Sequence, residues 1–227
     1  MREADGSLHE LNRLDTKNRV PQSAAVETAL LARFEEALPR VQAIVIADQV
    51  SEPNCGVVTD RVRDALSALA ARHPDTVFAA DSRENIGRFE NVILKPNARE
   101  AVRAIADYAE PDDLPTVEAC GMALAARTGR PVFVTLGPHG MLLCESHGRE
   151  HIPTVAPTGP IDPVGAGDSA MAGLVAALCA GATLPEAGLV GNLVASVTVQ
   201  QLGTTGTASP AQVLSQFDSL PDQTTLA

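Results

Sequence analysis

Apolar residues along this chain fall into two alternating rhythms. From Ser23 to Leu38 they recur at helical spacing, and Pro39 ends the run. Val41 to Ala47 (VQAIVIA) is then a short unbroken apolar stretch rich in β-branched residues, which predicts a strand covered on both faces. The alternation continues with a helix over about 57–71, strands at TVFAA (Thr76–Ala80) and NVILK (Asn91–Lys95), and helices over about 98–108 and 116–129. A further strand follows at PVFVTL (Pro131–Leu136). Strands alternating with helices of this length predict an α/β protein, a mostly parallel sheet with helices on both faces. GMLLCES (Gly140–Ser146) and HIPTV (His151–Val155) have no helix-length segment between them, so they predict a hairpin or meander. Two long apolar helices, about 166–180 and 185–201, and a short one near 209–217 complete the pattern. No repeat or linker interrupts it. The expected organisation is a polar lead-in over 1–20, one α/β domain over 21–218 and a polar tail over 219–227.

Composition changes this picture in one respect. Hydrophobic residues make up 45% of the 227 but aromatic residues only 3%, so Ala, Val and Leu must fill the core. The net charge of -11 argues against a sequence-independent affinity for nucleic acid or an anionic membrane, and an anionic ligand needs a local site. The cysteines, Cys55, Cys120, Cys144 and Cys179, are irregularly spaced with no CxxC pair, which predicts buried free thiols in a reducing compartment. The N-terminus is polar and charged, and the longest apolar stretch, Ala170–Leu184, is too short and too glycine-broken to span a bilayer. The expectation is a soluble cytoplasmic protein.

In open parallel sheets, ligands bind beyond the carboxyl ends of strands, where loops meet helix N-termini. Four segments occupy such positions. In IDPVGAGDSAMAG, the N–H groups of Gly165, Ala166 and Gly167 can face one concavity at a helix N-terminus, which suits a phosphate. Asp168 then stands in the first turn, either capping its helix or taking a proton from a hydroxyl that attacks the held phosphorus. In KPNAREA, Asn97 and Glu100 have the spacing of a capping box; the functional alternative puts Asn97 near nucleotide phosphates and Glu100 near a hydrated magnesium ion. In VTLGPHG, Thr135, Gly137 and Gly140 make either a hairpin turn or a loop lying against a nucleotide. In GNLVASVTVQQLG, Asn192 is polar within an apolar helix, as an adenine or ribose contact or as a satisfied buried amide, and Gly203 ends that helix.

The stretch DPVGAGDSAMAGLV (Asp162–Val175) resembles the C-terminal signature of the ribokinase-like (PfkB) carbohydrate and nucleoside kinases. KPNAREA resembles that family's N-x-x-E segment, VTLGPHG its T-x-G-x-x-G turn, and GNLVASVTVQQLGTTG its closing nucleotide-side helix, all in the family's order. The resemblance implies a ribokinase-like three-layer α/β/α fold and an ATP-dependent phosphotransferase acting on a hydroxyl of a sugar or sugar phosphate. Asp168 is then the base, and Gly165, Ala166 and Gly167 form the anion hole. Asn97, Thr135, Gly137, Gly140 and Asn192 fall on the nucleotide side, Glu100 places Mg2+ through water, and Asp162 helps to bind a monovalent cation such as K+. A homodimer fits the family. RLDTKNR at Arg13, IADQ at Ala47 and DSREN at Asp81 look like the branch acting on phosphorylated or acidic sugars, including heptose-phosphate kinases. There Lys95 and Arg83 would face phosphates, against the default of ordinary exposed cations.

One departure limits what the resemblance carries. The glycine-rich sugar-binding segment, central strands and β lid of family members are not visible before LNRLDTKNR. The chain is therefore expected to be a fragment or a short form, binding nucleotide weakly with weak or absent sugar phosphorylation. The alternative is a non-catalytic nucleotide-binding remnant or interaction module. A Rossmann-type dehydrogenase is disfavoured, because no G-x-G-x-x-G follows the first predicted strand.

Overall fold

A computed structural model describes residues 16–106, 113–157 and 159–220. In chain order the elements are α1 (Ala24–Ala37), β1 (Ala43–Asp48), α2 (Asp60–Arg72), β2 (Val77–Ser82), β3 (Ile93–Leu94), α3 (Ala98–Ala106) and α4 (Leu114–Thr128). There follow β4 (Val132–Thr135), β5 (Met141–Glu145), β6 (Gly148–Ile152), α5 (Ala166–Cys179), α6 (Leu184–Thr198) and α7 (Pro210–Asp218). The lead-in up to Asp15, the predicted end of the 98–108 helix and the last residues of the tail lie outside the described residues.

The strands lie side by side in chain order in one six-stranded sheet. β1 to β4 run parallel, and β5 and β6 turn back as the antiparallel meander expected from GMLLCES and HIPTV. Caps set the helix starts: the side chains of Ser23, Thr59, Asp113, Thr183 and Ser209 each accept an N–H from the first turn of the helix that follows. α4 ends on Gly129 at φ 71°, a left-handed C-terminus that glycine adopts without strain.

Each face of the sheet has its own core. Val132, Val134, Leu142 and Cys144 pack with α2, α3 and α4 on one side, while Phe133, Met141, Leu143 and Ile152 pack with α5 and α6 on the other. This is the expected three-layer arrangement. It also explains the unbroken apolar runs of β4 and β5, since alternate side chains enter different cores. Cys55, Cys120 and Cys144 are buried free thiols and Cys179 is half-buried. Burial, with Glu118 nearby, pushes the Cys144 thiol up to about 11, so it stays protonated and inert.

β1 departs from the expectation. Ile44 and Ile46 are buried against the α2 side, but Val45 between them is 49% exposed and Ala47 is exposed. β1 ends the described sheet, and α5 reaches only part of its second face. The apolar run therefore reports composition, and its burial is one-sided. β3 is shorter than the predicted NVILK, because only Ile93 and Leu94 keep ladder geometry. β6 starts earlier than HIPTV, its Gly148–Glu150 portion being a polar edge with no apolar signal. Among the described residues, no helix is long and apolar enough to cross a membrane.

Candidate active site

The four sequence-nominated segments converge at the carboxyl ends of the parallel strands. An isolated parallel bridge joins Asn97 to Thr135, and the Thr135 N–H donates to the Pro96 carbonyl at 2.9 Å. Gly137, at φ 59°, opens the turn after β4 into free space. Asn97, Thr135, Gly137, His139, Pro153 and Thr154 line a cavity of about 920 Å3, together with Leu114 and Val117 of α4. Gly140 has a packing constraint of its own. A Cβ there would meet the Ile152 carbonyl oxygen at 2.2 Å, so glycine is required for the close approach of β5 to the end of β6.

At the start of α3, the Asn97 side chain accepts the Glu100 N–H at 2.9 Å, and the Glu100 carboxylate accepts the Asn97 N–H at 2.8 Å. The capping box is thus real. Glu100 is also half-buried, and burial raises its carboxyl above the ordinary value; the negative charge of Asp81 pushes the same way, against the Asn97 N–H, Lys95 and Arg83. Among the described residues no cluster of three or more His, Cys, Asp or Glu is placed to hold a metal alone. Glu100 with Asp81 nearby fits magnesium, which commonly takes one or two carboxylates and completes its shell with phosphate oxygens and water.

The start of α5 is built differently. Its N-cap is Gly165 at φ 79°, which offers no side chain to the first turn. A Cβ there would press on the Thr205 methyl at 2.9 Å. The Ala166 N–H donates to the Pro163 carbonyl at 3.1 Å, so of the three-residue anion hole expected from sequence, Ala166 is already engaged. Gly167 and Asp168 follow in the first helical turn, where N–H groups have no intrahelical partner. Asp168 is exposed. Asp162 ties the loop down: its two carboxylate oxygens accept the Val164 and Gly203 N–H groups, each at 3.0 Å.

Lys95 corrects the expectation of an exposed cation. Its side chain is 3% exposed and its ammonium lies 2.8 Å from the Asp81 carboxylate, itself 15% exposed. A Cβ at Gly167 would stand 3.4 Å from the Lys95 Nζ and 3.8 Å from Asp81 Oδ2, so the pair faces the start of α5. Arg83 is exposed as expected. Nearby, the buried Asp48 carboxylate accepts the Ser82 hydroxyl at 2.7 Å and the Asn85 amide at 3.2 Å, bracing the ends of β1 and β2.

Asn192 is a buried amide with partners of its own. Its buried amide nitrogen donates to the Ile152 and Pro153 carbonyls at 3.1 and 2.9 Å, and so fixes the chain that leads to the cavity wall. Sequence reasoning missed Asp81, Thr205 and Thr154 as members of this region. The available signal for Asp81 was a charge closing the apolar run TVFAA, at the end of a strand where ligands bind.

A three-layer fold with an uncapped glycine-rich helix start beside a cavity at the strand ends is the frame of a phosphate-handling α/β protein. The model of the pfkB family carbohydrate kinases matches residues 15–212, and the chain belongs to that family of kinases. The bifunctional protein HldE of Hyphomonas neptunium is 31% identical over 180 residues, covering 79% of this chain and 36% of its own length. That of Caulobacter vibrioides is 33% identical over 183 residues, covering 79% and 36%. This chain therefore spans about a third of the curated relatives it matches. Among solved structures, phosphofructokinase-2 from Escherichia coli in complex with potassium superposes with a TM-score of 0.64 at 22% identity, covering 83% of this chain and 61% of that one. Ribokinase from Thermotoga maritima gives 0.58 at 21%, covering 77% and 56%. Both share the fold.

Proposed function

We propose that this chain carries the nucleotide side and catalytic base of an ATP-dependent kinase for a phosphorylated sugar. The observation that carries the reading is the uncapped α5 start facing the buried Lys95, whose segment continues two residues on to Asn97 in the lining of the cavity with Thr135 and Gly137. Adenosine occupies the cavity, and the phosphates run from it toward Gly167. Asp168 takes the proton of the acceptor hydroxyl while that oxygen forms a bond to the γ-phosphorus. The bond from that phosphorus to the β–γ bridging oxygen breaks, and its electron pair leaves with ADP. The first-turn N–H groups at Gly167 stabilise the charge on the group in flight. Magnesium, when bound with the nucleotide, neutralises phosphate charge, and Glu100 would hold it through water. Asp162 supports K+ less directly, because both its oxygens already accept N–H groups.

The acceptor side favours a second reading. Among the described residues Val45 and Ala47 are exposed on the second face of β1, and transfer depends on an acceptor hydroxyl being held in place. On this reading the chain binds nucleotide without turnover, or presents the β1 edge of the described sheet to a partner, a second copy included. The net charge of -11 favours a small-molecule ligand over nucleic acid, and a cytoplasmic location agrees with the free thiols.

Calorimetry with Mg·AMP-PNP and phosphate transfer to a panel of sugar phosphates separate the readings. A kinase loses about 10²–10⁴-fold of its turnover in Asp168→Asn while nucleotide affinity holds within about twofold. A binding module shows the affinity and no transfer. Folded protein that binds no Mg·AMP-PNP overturns both nucleotide readings.

A further inference from the structure

Among the described residues β1 ends the sheet, and its outer edge has the geometry of a strand ready to pair. In a parallel ladder the N–H and C=O of one residue point to one side, and those of the next residue point to the other. The Gln42 carbonyl accepts from Val77 and the Asp48 carbonyl from Arg83, so the even-numbered residues of β1 face β2. Ala43, Val45 and Ala47 therefore turn both their backbone groups toward the edge that no described strand covers. Native edge strands are usually guarded by a charge, a proline or a bulge. From Ala43 to Ala47 the residues are AIVIA, and the register with β2 runs from Ala43↔Val77 to Asp48↔Ser82 without a bulge. The strand's acidic residue, Asp48, is buried and turned to Ser82 and Asn85. The helical layer next to this strand is unfinished too: Leu30, Leu31 and Phe34 of α1 touch the α2-side core, yet no residue of α1 is buried.

We propose that this edge is an interface between two copies of the chain, whose β1 strands pair antiparallel about a two-fold axis at Val45 and join the two sheets into one. The inference rests on the open-edge reading above and deepens it by naming the partner and the register. A two-fold interface requires that where residue i meets residue j, j also meets i. AIVIA satisfies this at every position, because it reads the same in both directions about Val45. Val45 meets Val45 of the second copy, and Ala43 meets Ala47. These are the residues whose backbone groups face outward, so each pair exchanges both its N–H···O=C bonds. Ile44 meets Ile46 on the face that is already buried, which continues the apolar core from one copy into the next. On the other face the half-exposed Val45 side chains meet as a β-branched pair. The net charge of -11 opposes association, but AIVIA brings no charged side chain to the seam. Another protein's strand would satisfy the same backbone groups, and it is the palindrome that favours a second copy.

Sedimentation velocity on the full chain by itself, up to about 100 μM, is expected to show a concentration-dependent dimer. Val45→Pro removes an outward N–H and leaves the β1–β2 ladder its own bonds, so it is expected to abolish the dimer while circular dichroism stays unchanged. Val45→Lys, at a position 49% exposed in the single chain, sets two like charges against each other at the axis and is expected to weaken the dimer about tenfold. Val45→Thr keeps a β-branched side chain and is expected to stay within about threefold. Leu214→Lys, at an exposed position of α7, is expected to leave the dimer as it is. Where Val45→Pro folds poorly, Val45→Lys is read in its place. Backbone amide exchange separates the occupants, because in the dimer the protection of Val45 and Ala47 rises with protein concentration. A monomer whose Val45 and Ala47 amides exchange freely overturns the second copy and leaves the edge open to another partner. A monomer with both amides protected has its edge filled from within the chain, which overturns the open-edge reading as well. A dimer that survives both Val45→Pro and Val45→Lys uses another surface and overturns the proposal.

Discussion

α3 and α6 begin with the same local device and put it to different use. At α6, Thr183 and Glu186 exchange hydrogen bonds across the first turn: the Glu186 carboxylate accepts the Thr183 N–H and hydroxyl, each at 2.7 Å. At α3, Asn97 and Glu100 do the same at 2.8 and 2.9 Å. The carboxyl groups nevertheless move in opposite directions. The Thr183 hydroxyl, more than any other neighbour, lowers the exposed Glu186 below its ordinary value, whereas burial raises Glu100 and the nearby Asp81 adds to the effect. A capping box is therefore a hydrogen-bond pattern, and its charge behaviour is set by what the fold brings to it. One box only starts a helix. The other starts a helix and holds a partly desolvated carboxylate, while its Asn97 lines the cavity.

The largest expected difference between them is in ligand binding. Glu100→Ala is expected to weaken Mg·AMP-PNP about tenfold or more in calorimetry, the range found when a metal's supporting carboxylate is lost, while Glu186→Ala stays within about twofold. Equal responses would erase the distinction. A smaller effect is common to both boxes: Thr183→Ala and Asn97→Ala should each cost about 1 kcal/mol. In a domain of this size that lowers the melting temperature by about 2–4 °C. Only Asn97→Ala should also weaken nucleotide.

The smallest effect is in the pH dependence of stability. Glu186 is lowered in the fold, so its contribution is present above the unfolded value of 4.5 and is lost as pH falls through the folded value. Glu100 is raised, so the folded state holds its proton more tightly and stability declines as pH rises from 4.5 through the folded value. In chemical denaturation, Glu186→Gln should flatten the acid limb, and Glu100→Gln should remove the decline toward neutral pH. Opposite signs sharpen the contrast, and the same sign in both variants would break it.

Much of this architecture was legible in advance, for reasons that act over a few residues. Period and length separated strands from helices, and GMLLCES and HIPTV read as a meander because no helix fits between them. KPNARE read as a capping box because Asn97 and Glu100 are one helical turn apart. The glycine-rich start of α5 read as a turn into a helix, with Asp168 either capping it or standing beside an anion site; the structure puts Gly165 at the N-cap, without a side-chain cap, and Asp168 in the first turn. The functional alternatives at the same positions stayed open, since a capped helix and a ligand-bearing one share their first turn.

What escaped the sequence depends on approach between distant segments. VQAIVIA would read the same with one face covered or two; whether Val45 is enclosed depends on which element crosses β1. KPN resembles an exposed lysine until Asp81, 14 residues earlier, is laid beside it by the pairing of β2 with β3. Asn192 takes its partners at Ile152 and Pro153, a separation of about 40 residues that no local pattern encodes. Periodicity, capping and turn chemistry are interactions over a few positions, so the order of residues carries them. Burial, charge environment and the meeting of Lys95 with Gly167 arise when the chain crosses itself, and packing then supplies the dielectric and the neighbours that give those side chains their chemistry.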